Sequence, residues 1–122
     1  MHVVLVVEDD PDIRATLCEA LEDNGYATAG AGNGVEALAY LRSGAEKPCL
    51  ILLDLMMPVM DGQTFRAEQR ADAALADIPV VVISAYRDVE KYAEDLATDY
   101  LAKPVRLETL LETTRKHCDV AS

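Results

Sequence analysis

Apolar positions along this chain switch between short unbroken runs and a spacing of three and four, and the switching predicts the elements. Val3 to Val7 is a β-branched and leucine run that stops at Glu8-Asp9-Asp10-Pro11, the pattern of a buried strand feeding directly into a helix. Asp10 before Pro11 supplies an N-cap followed by proline at the first helical position. Ile13, Leu17, Ala20 and Leu21 then recur at helical spacing as far as Asn24-Gly25. Tyr26 to Ala31, built of small residues, reads as an edge-like strand ended by Gly32-Asn33-Gly34. Val35, Leu38 and Leu41 give a second helix its inner face before Ser43-Gly44. Leu50 to Asp54 is a continuous apolar run closed by a carboxylate, and Pro58 and Asp61-Gly62 turn its exit into a loop. Gln63 to Ala71 predicts a third helix anchored by Phe65, and Ile78 to Ile83 repeats the buried-strand pattern before Ser84-Ala85. Val89, Tyr92, Ala93 and Leu96 mark a fourth helix. Tyr100-Leu101-Ala102 forms a short strand before Lys103-Pro104, and Leu107, Leu110, Leu111, Thr114 and Cys118 define a final helix.

Strands alternating with helices, with no room for long hairpins, imply an α/β fold: a parallel sheet sandwiched by helices on both faces. The 122 residues read as a single domain spanning the whole chain, 51% hydrophobic and able to bury a core without staples. Its 22 acidic against 11 basic residues, a formal charge of −11, exclude a binder of nucleic acid backbone, which needs clustered Lys and Arg. No run of ~18 apolar residues is present to span a membrane, and the N-terminus has no signal-peptide pattern, so a cytoplasmic chain with no membrane insertion is expected. Cys18, Cys49 and Cys118 are an odd number with no close pair, so they are expected to be free core or surface thiols. His2 and His117, near the chain ends, receive no role.

Parallel strands bring their carboxyl ends to one edge, where open α/β sheets bind ligands. Glu8, Asp9, Asp54, Ser84 and Lys103 all fall there, although they are far apart in sequence. An aspartate at a strand end is equally a helix cap or turn former, and Asp54 alone would carry no chemistry. Clustered carboxylates, however, repel by roughly 4 kcal/mol per pair at about 4 Å and an effective dielectric near 20, which one ammonium only partly offsets. A divalent cation resolves the conflict. All-oxygen ligands favour a hard ion such as magnesium, with manganese as its substitute, and magnesium commonly bridges to phosphate. In a phosphoryl site Asp54 is the nucleophile, Ser84 a hydroxyl donor and Lys103 a cation for the developing charge. The competing structural reading is a Lys103 to Asp54 ion pair that merely holds loops.

The segments Val-Val-Glu8-Asp9-Asp10, Leu-Leu-Asp54-Leu-Met-Met-Pro58-Val-Met-Asp61-Gly62, Ile-Ser84-Ala85 and Tyr100-Leu-Ala-Lys103-Pro104 resemble the receiver domain of two-component response regulators, in order and over essentially the whole chain. The resemblance implies a flavodoxin-like (βα)5 three-layer sandwich with strand order 2-1-3-4-5. It also implies that Asp54 accepts a phosphoryl group from a histidine kinase or histidine phosphotransfer protein. Asp9 is then a direct ligand of the metal, Glu8 acts through water, and Asp54 and the Met56 backbone carbonyl complete the protein ligands. Ser84 and Tyr100 form the switch, and the Lys103-Pro104 peptide is cis, aiming the lysine at the site. Asp10 remains a helix cap by its own sequence context, Met57 and Met60 read as loop packing, and Tyr86 and Tyr92 suit either helix packing or a partner surface.

The chain departs from the family pattern in places. The stretch from Ser84 to Lys103 is shorter than usual, and Asp95-Leu96-Ala97-Thr98 replaces the customary Gly-Ala turn, so the fourth helix is expected to be short or shifted. Met56 and Tyr86, two residues beyond Asp54 and Ser84, offer no carboxylate or amide to orient an attacking water, which predicts slow loss of the phosphoryl group. The leading expectation is a phosphorylation-driven switch that alters affinity for a downstream protein, not a turnover enzyme. Its alternative is a phosphorylation-independent interaction module of the same fold. A hydrolase of small phosphate esters would want a second acid where Met56 stands. A stand-alone receiver, a phosphorelay shuttle and a piece of a hybrid kinase or longer regulator all fit these residues.

Overall fold

The computed structural model describes residues 3–44, 46–54, 62–84 and 99–118. Within them the chain runs β1 (Val3–Val7), α1 (Pro11–Glu22), β2 (Ala27–Ala31), α2 (Gly34–Leu41), β3 (Leu50–Asp54), α3 (Gly62–Ala71), β4 (Val80–Ser84), β5 (Asp99–Ala102) and α4 (Leu107–Cys118). All four strand pairs are parallel, in the order β2-β1-β3-β4-β5. The helix expected on residues 89–96 lies outside the described residues, as do His2, Met56, Met57, Pro58, Met60, Asp61, Tyr86 and Tyr92.

The period of two in the strands divides the core into two layers. Leu5, Val7, Ile51, Leu53, Val80 and Val82 face α2 and α3, where Ala37, Leu38 and Phe65 meet them. Val4, Val6, Leu50, Leu52, Val81, Ile83 and Leu101 face the other way, onto Leu17 and Leu21 of α1 and Leu110 and Leu111 of α4. A central strand must be apolar on both faces to fill both layers, and this explains the unbroken runs of β1, β3 and β4. The sheet's α2 and α3 side is tied down by Gln69, fully buried, whose Nε2 donates to the carbonyls of Leu75 (2.8 Å) and Ile78 (3.1 Å) and so holds the turn into β4.

Helix ends follow their sequence signals. Asp10 Oδ1 accepts from the backbone N–H groups of Asp12 (2.9 Å) and Ile13 (3.3 Å), with Pro11 at the first position, so Asp10 is a cap. Asn33 caps α2 in the same way through Glu36 N–H (2.9 Å). Gly25 (φ 94°) and Gly44 (φ 88°) end α1 and α2 in the left-handed region that favours glycine.

Several side chains expected inside are outside. Ile13, Val35 and Leu107 are 41%, 50% and 53% exposed. Each sits in the first turn of its helix, which overhangs the carboxyl edge of the sheet and has no strand beneath it. The free-thiol expectation also fails, because Cys49 and Cys118 form a disulfide with Cα atoms 5.4 Å apart across a sequence separation of 69. Cys49 precedes β3, and Cys118 ends α4, which packs against the same strand from the α1 side. Topology brings them together, which spacing along the chain cannot show. Cys18, on α1, remains a thiol.

Candidate functional site

Register and face together build the site at the carboxyl edge. Val7 of β1 pairs with Leu53 of β3, so the residues that follow, Glu8 and Asp54, leave the sheet side by side. Glu8 continues the alternation of Val4 and Val6, Asp54 that of Leu50 and Leu52, and Lys103 that of Leu101, all on the α1 and α4 face. Glu8 and Asp54 are consequently buried, at 2% and 4% exposure. Glu8, Asp9 and Asp54 each offer a carboxylate oxygen, all within 4.8 Å of one another, Asp9 from an exposed position. Lys103 Nζ stands 3.8 Å from Asp54 Oδ2 and 3.9 Å from Glu8 Oε1, and the Lys103-Pro104 peptide is cis, as the resemblance implied.

The electrostatics are under-compensated. Glu8 Oε1 is buried without a hydrogen-bond donor, while its Oε2 accepts from Asp10 N–H at 3.2 Å. Burial, and then the neighbouring Asp54 carboxylate, push Glu8 up to about 7, against the pull of the Asp10 backbone N–H. The same crowding that favours the protonated Glu8 carboxyl would be relieved by a divalent cation. Three oxygen donors, one of them orphaned in a buried position, fit a hard divalent ion such as magnesium or manganese.

The remaining expected residues are placed by their backbone. Ser84 closes β4 opposite Ala102, and Tyr100 pairs with Val82 one step inside β5, so both belong to the strands that flank the cluster. Met56 falls outside the described residues. Two features were not anticipated. Arg14 of α1 donates through Nη1 to the Glu8 carbonyl at 2.7 Å. A cavity of about 570 Å³ opens between α1 and the turn after β5, lined by Ile13, Leu17, Ile83, Pro104 and Val105 and sharing Lys103 with the site. Its signal in the sequence is Ile13, an apolar first-turn residue that the core does not absorb.

The model of the response regulator receiver domain matches residues 4–115. The chain belongs to the response regulator receiver family. This receiver is 38% identical over 115 residues to the response regulator MprA of Mycobacterium avium, covering 92% of the chain and 49% of that relative. It thus spans about half the length of the curated relatives it matches. Among solved structures, the chemotaxis protein CheY4 of Vibrio cholerae superposes with a TM-score of 0.83 at 31% identity, over 96% of this receiver and 98% of that chain. The receiver domain of the sensor histidine kinase PA1611 from Pseudomonas aeruginosa, described with magnesium coordinated in its active site cleft, shares the fold. Its TM-score is 0.85 at 24% identity, covering 95% of this receiver and 96% of that one. Among the described residues no helix is long and apolar enough to cross a membrane.

Proposed function

We propose that this receiver takes a phosphoryl group from a phosphohistidine onto Asp54 and thereby changes its affinity for a downstream protein. The observation that carries the reading is the crowding of Glu8, Asp9 and Asp54 around one point with, among the described residues, one ammonium, Lys103, to face Glu8 and Asp54. A cluster kept for stability alone would be better replaced by apolar side chains, since buried ionic groups contribute little net stability.

In this reading Glu8, Asp9 and Asp54, with the Met56 carbonyl that the resemblance adds from outside the described residues, would hold a divalent cation, which would supply charge neutralisation for phosphoryl transfer. Asp54 contributes the attacking oxygen: a bond from Oδ to phosphorus forms as the bond from phosphorus to the donor imidazole nitrogen breaks. Lys103 pairs its ammonium with the transferred group, releasing Asp54 from the ion pair it makes before transfer. Ser84, at the carboxyl end of β4, and Tyr100, two residues back on the adjacent β5, form the two-state element that reports the change. A protein presenting a phosphohistidine to Asp54 must cover this edge. The apolar groove beside Lys103, with exposed Ile13 at its margin, supplies the surface against which a histidine kinase or phosphotransfer protein rests. The receiver promotes only its own phosphorylation and its loss, in the cytoplasm. The Cys49–Cys118 bond, of a kind uncommon there, is shielded by the burial of Cys118.

The test is intact-mass spectrometry after incubation with a small phosphodonor, with and without magnesium, beside an Asp54→Asn variant. A magnesium-dependent gain of one phosphoryl mass, absent from the variant, is expected. No gain under any condition refutes the reading and leaves the phosphorylation-independent interaction module.

A further inference from the structure

We infer that Arg14 is a positioning residue for the acid pair, fixing the peptide between Glu8 and Asp9 so that both carboxylates face the cation. The inference rests on the phosphoacceptor reading and adds to it a residue outside the carboxylate cluster. Every polar atom of Glu8 except Oε1 is fixed by a neighbour. Its N–H donates to the Ala31 carbonyl of β2 at 3.0 Å, its Oε2 accepts from Asp10 N–H at 3.2 Å, and its carbonyl accepts from Arg14 Nη1 at 2.7 Å. That carbonyl belongs to the same rigid peptide plane as the Asp9 N–H, so a tilt of the plane swings the exposed Asp9 carboxylate away from its partners. Past the last residue of β1 nothing else among the described hydrogen bonds holds this carbonyl. Arg14 itself is anchored by its own N–H to the Asp10 carbonyl at 2.9 Å.

The neighbouring strand makes room for it. A Cβ at Gly30 would stand 3.2 Å from Arg14 Cδ, and one at Gly32 would stand 3.4 Å from Nη1. Neither glycine has a left-handed backbone, so conformation does not require glycine at either position. What their small size supplies is the corridor along which the arginine reaches past β2 to the end of β1.

Charge and position act in opposite directions here, which makes the inference testable. Removing a cation from beside a metal site tightens metal binding if charge is all that matters. Removing the group that orients a ligand weakens it, commonly tenfold or more. Magnesium titration followed by amide chemical shifts reads the affinity and, from the same spectra, whether each variant is folded. Arg14→Ala is expected to bind magnesium roughly tenfold more weakly than the unaltered chain in spite of losing a positive charge. Arg14→Lys, which restores a single donor, is expected to recover most of the affinity. Gly30→Ala keeps the arginine and its charge but crowds Cδ, and is expected to weaken binding in the same direction by a smaller factor. An unchanged or tighter affinity in folded Arg14→Ala overturns the inference. If that variant does not fold, unaltered affinity in Gly30→Ala overturns it instead. Absence of magnesium binding by the unaltered chain removes the phosphoacceptor reading itself, and the inference with it, a result distinct from a binding site that ignores Arg14.

Discussion

Replacing Glu8 by Gln isolates the electrostatic strain that the site carries without metal. In the fold the Glu8 carboxyl is raised from 4.5 to about 7, by burial first and by the Asp54 carboxylate next. The native state therefore holds a proton that the unfolded chain has already lost across that interval, and stability falls as pH rises through it. Below the unfolded value both states are protonated and the contribution is fully present. Above about 7 it is fully lost, and the full difference corresponds to about 3 kcal/mol. Glutamine matches the protonated shape and cannot ionise. Urea unfolding in the presence of a chelator, at pH 5 and at pH 8, should show Glu8→Gln gaining on the unaltered chain by a few kcal/mol at the higher pH and by much less at the lower. The difference between the two proteins cancels the other titrating groups. Saturating magnesium should reverse the order at pH 8, because the cation then stabilises the carboxylate that glutamine lacks. A pH-independent difference would mean that Glu8 ionises as an ordinary surface glutamate, and the argument from carboxylate crowding to a cation would fall.

Other consequences are as direct. Reducing the Cys49–Cys118 bond should raise the intact mass by two hydrogens and destabilise the fold by about 4 kcal/mol in the chain-entropy account of a loop of this length, read as a drop in denaturation midpoint; a native mass already equal to that of three thiols refutes the bond. Gln69→Leu strips the buried Ile78 carbonyl of its side-chain donor and leaves the Leu75 carbonyl with the Ile78 N–H alone, and should cost about 2 kcal/mol in urea unfolding, a loss below about 0.5 kcal/mol showing that the turn into β4 is held by other means. In the phosphoacceptor reading, Met56→Asn, which adds an amide two residues beyond Asp54, should shorten the life of the phosphorylated form, followed as decay of the added mass; an unchanged lifetime counts against the expectation that the lack of a polar group there slows the loss.

Sequence resolves this protein best where a single rule acts. Strands buried on both faces must be apolar at every position, so β1, β3 and β4 stand out, and a charged residue at the end of such a run is conspicuous. Glu8, Asp54 and Lys103 could be assigned to one site because parallel topology gathers strand ends, and the face on which they meet follows from counting twos back to Val6, Leu52 and Leu101. Where two rules compete the pattern misleads. Ile13, Val35 and Leu107 keep helical spacing with their buried neighbours, yet lie in first turns that overhang the sheet, so periodicity assigns them to a core that ends before it reaches them. At Ile13 the mismatch is informative, since an apolar residue left outside borders the groove that shares Lys103 with the acid cluster. Contacts made across the fold leave no local trace at all. The disulfide joins a residue before β3 to the last turn of α4, and Arg14 is tied to Glu8 through space that two glycines, one on β2 and one just past its end, leave open. Such contacts depend on which elements become neighbours, and they can be argued only once the strand order is known. That dependence also sets their significance: a side chain that reaches from a helix over one strand to the backbone of the next links the edge of the sheet to the acid pair at its centre.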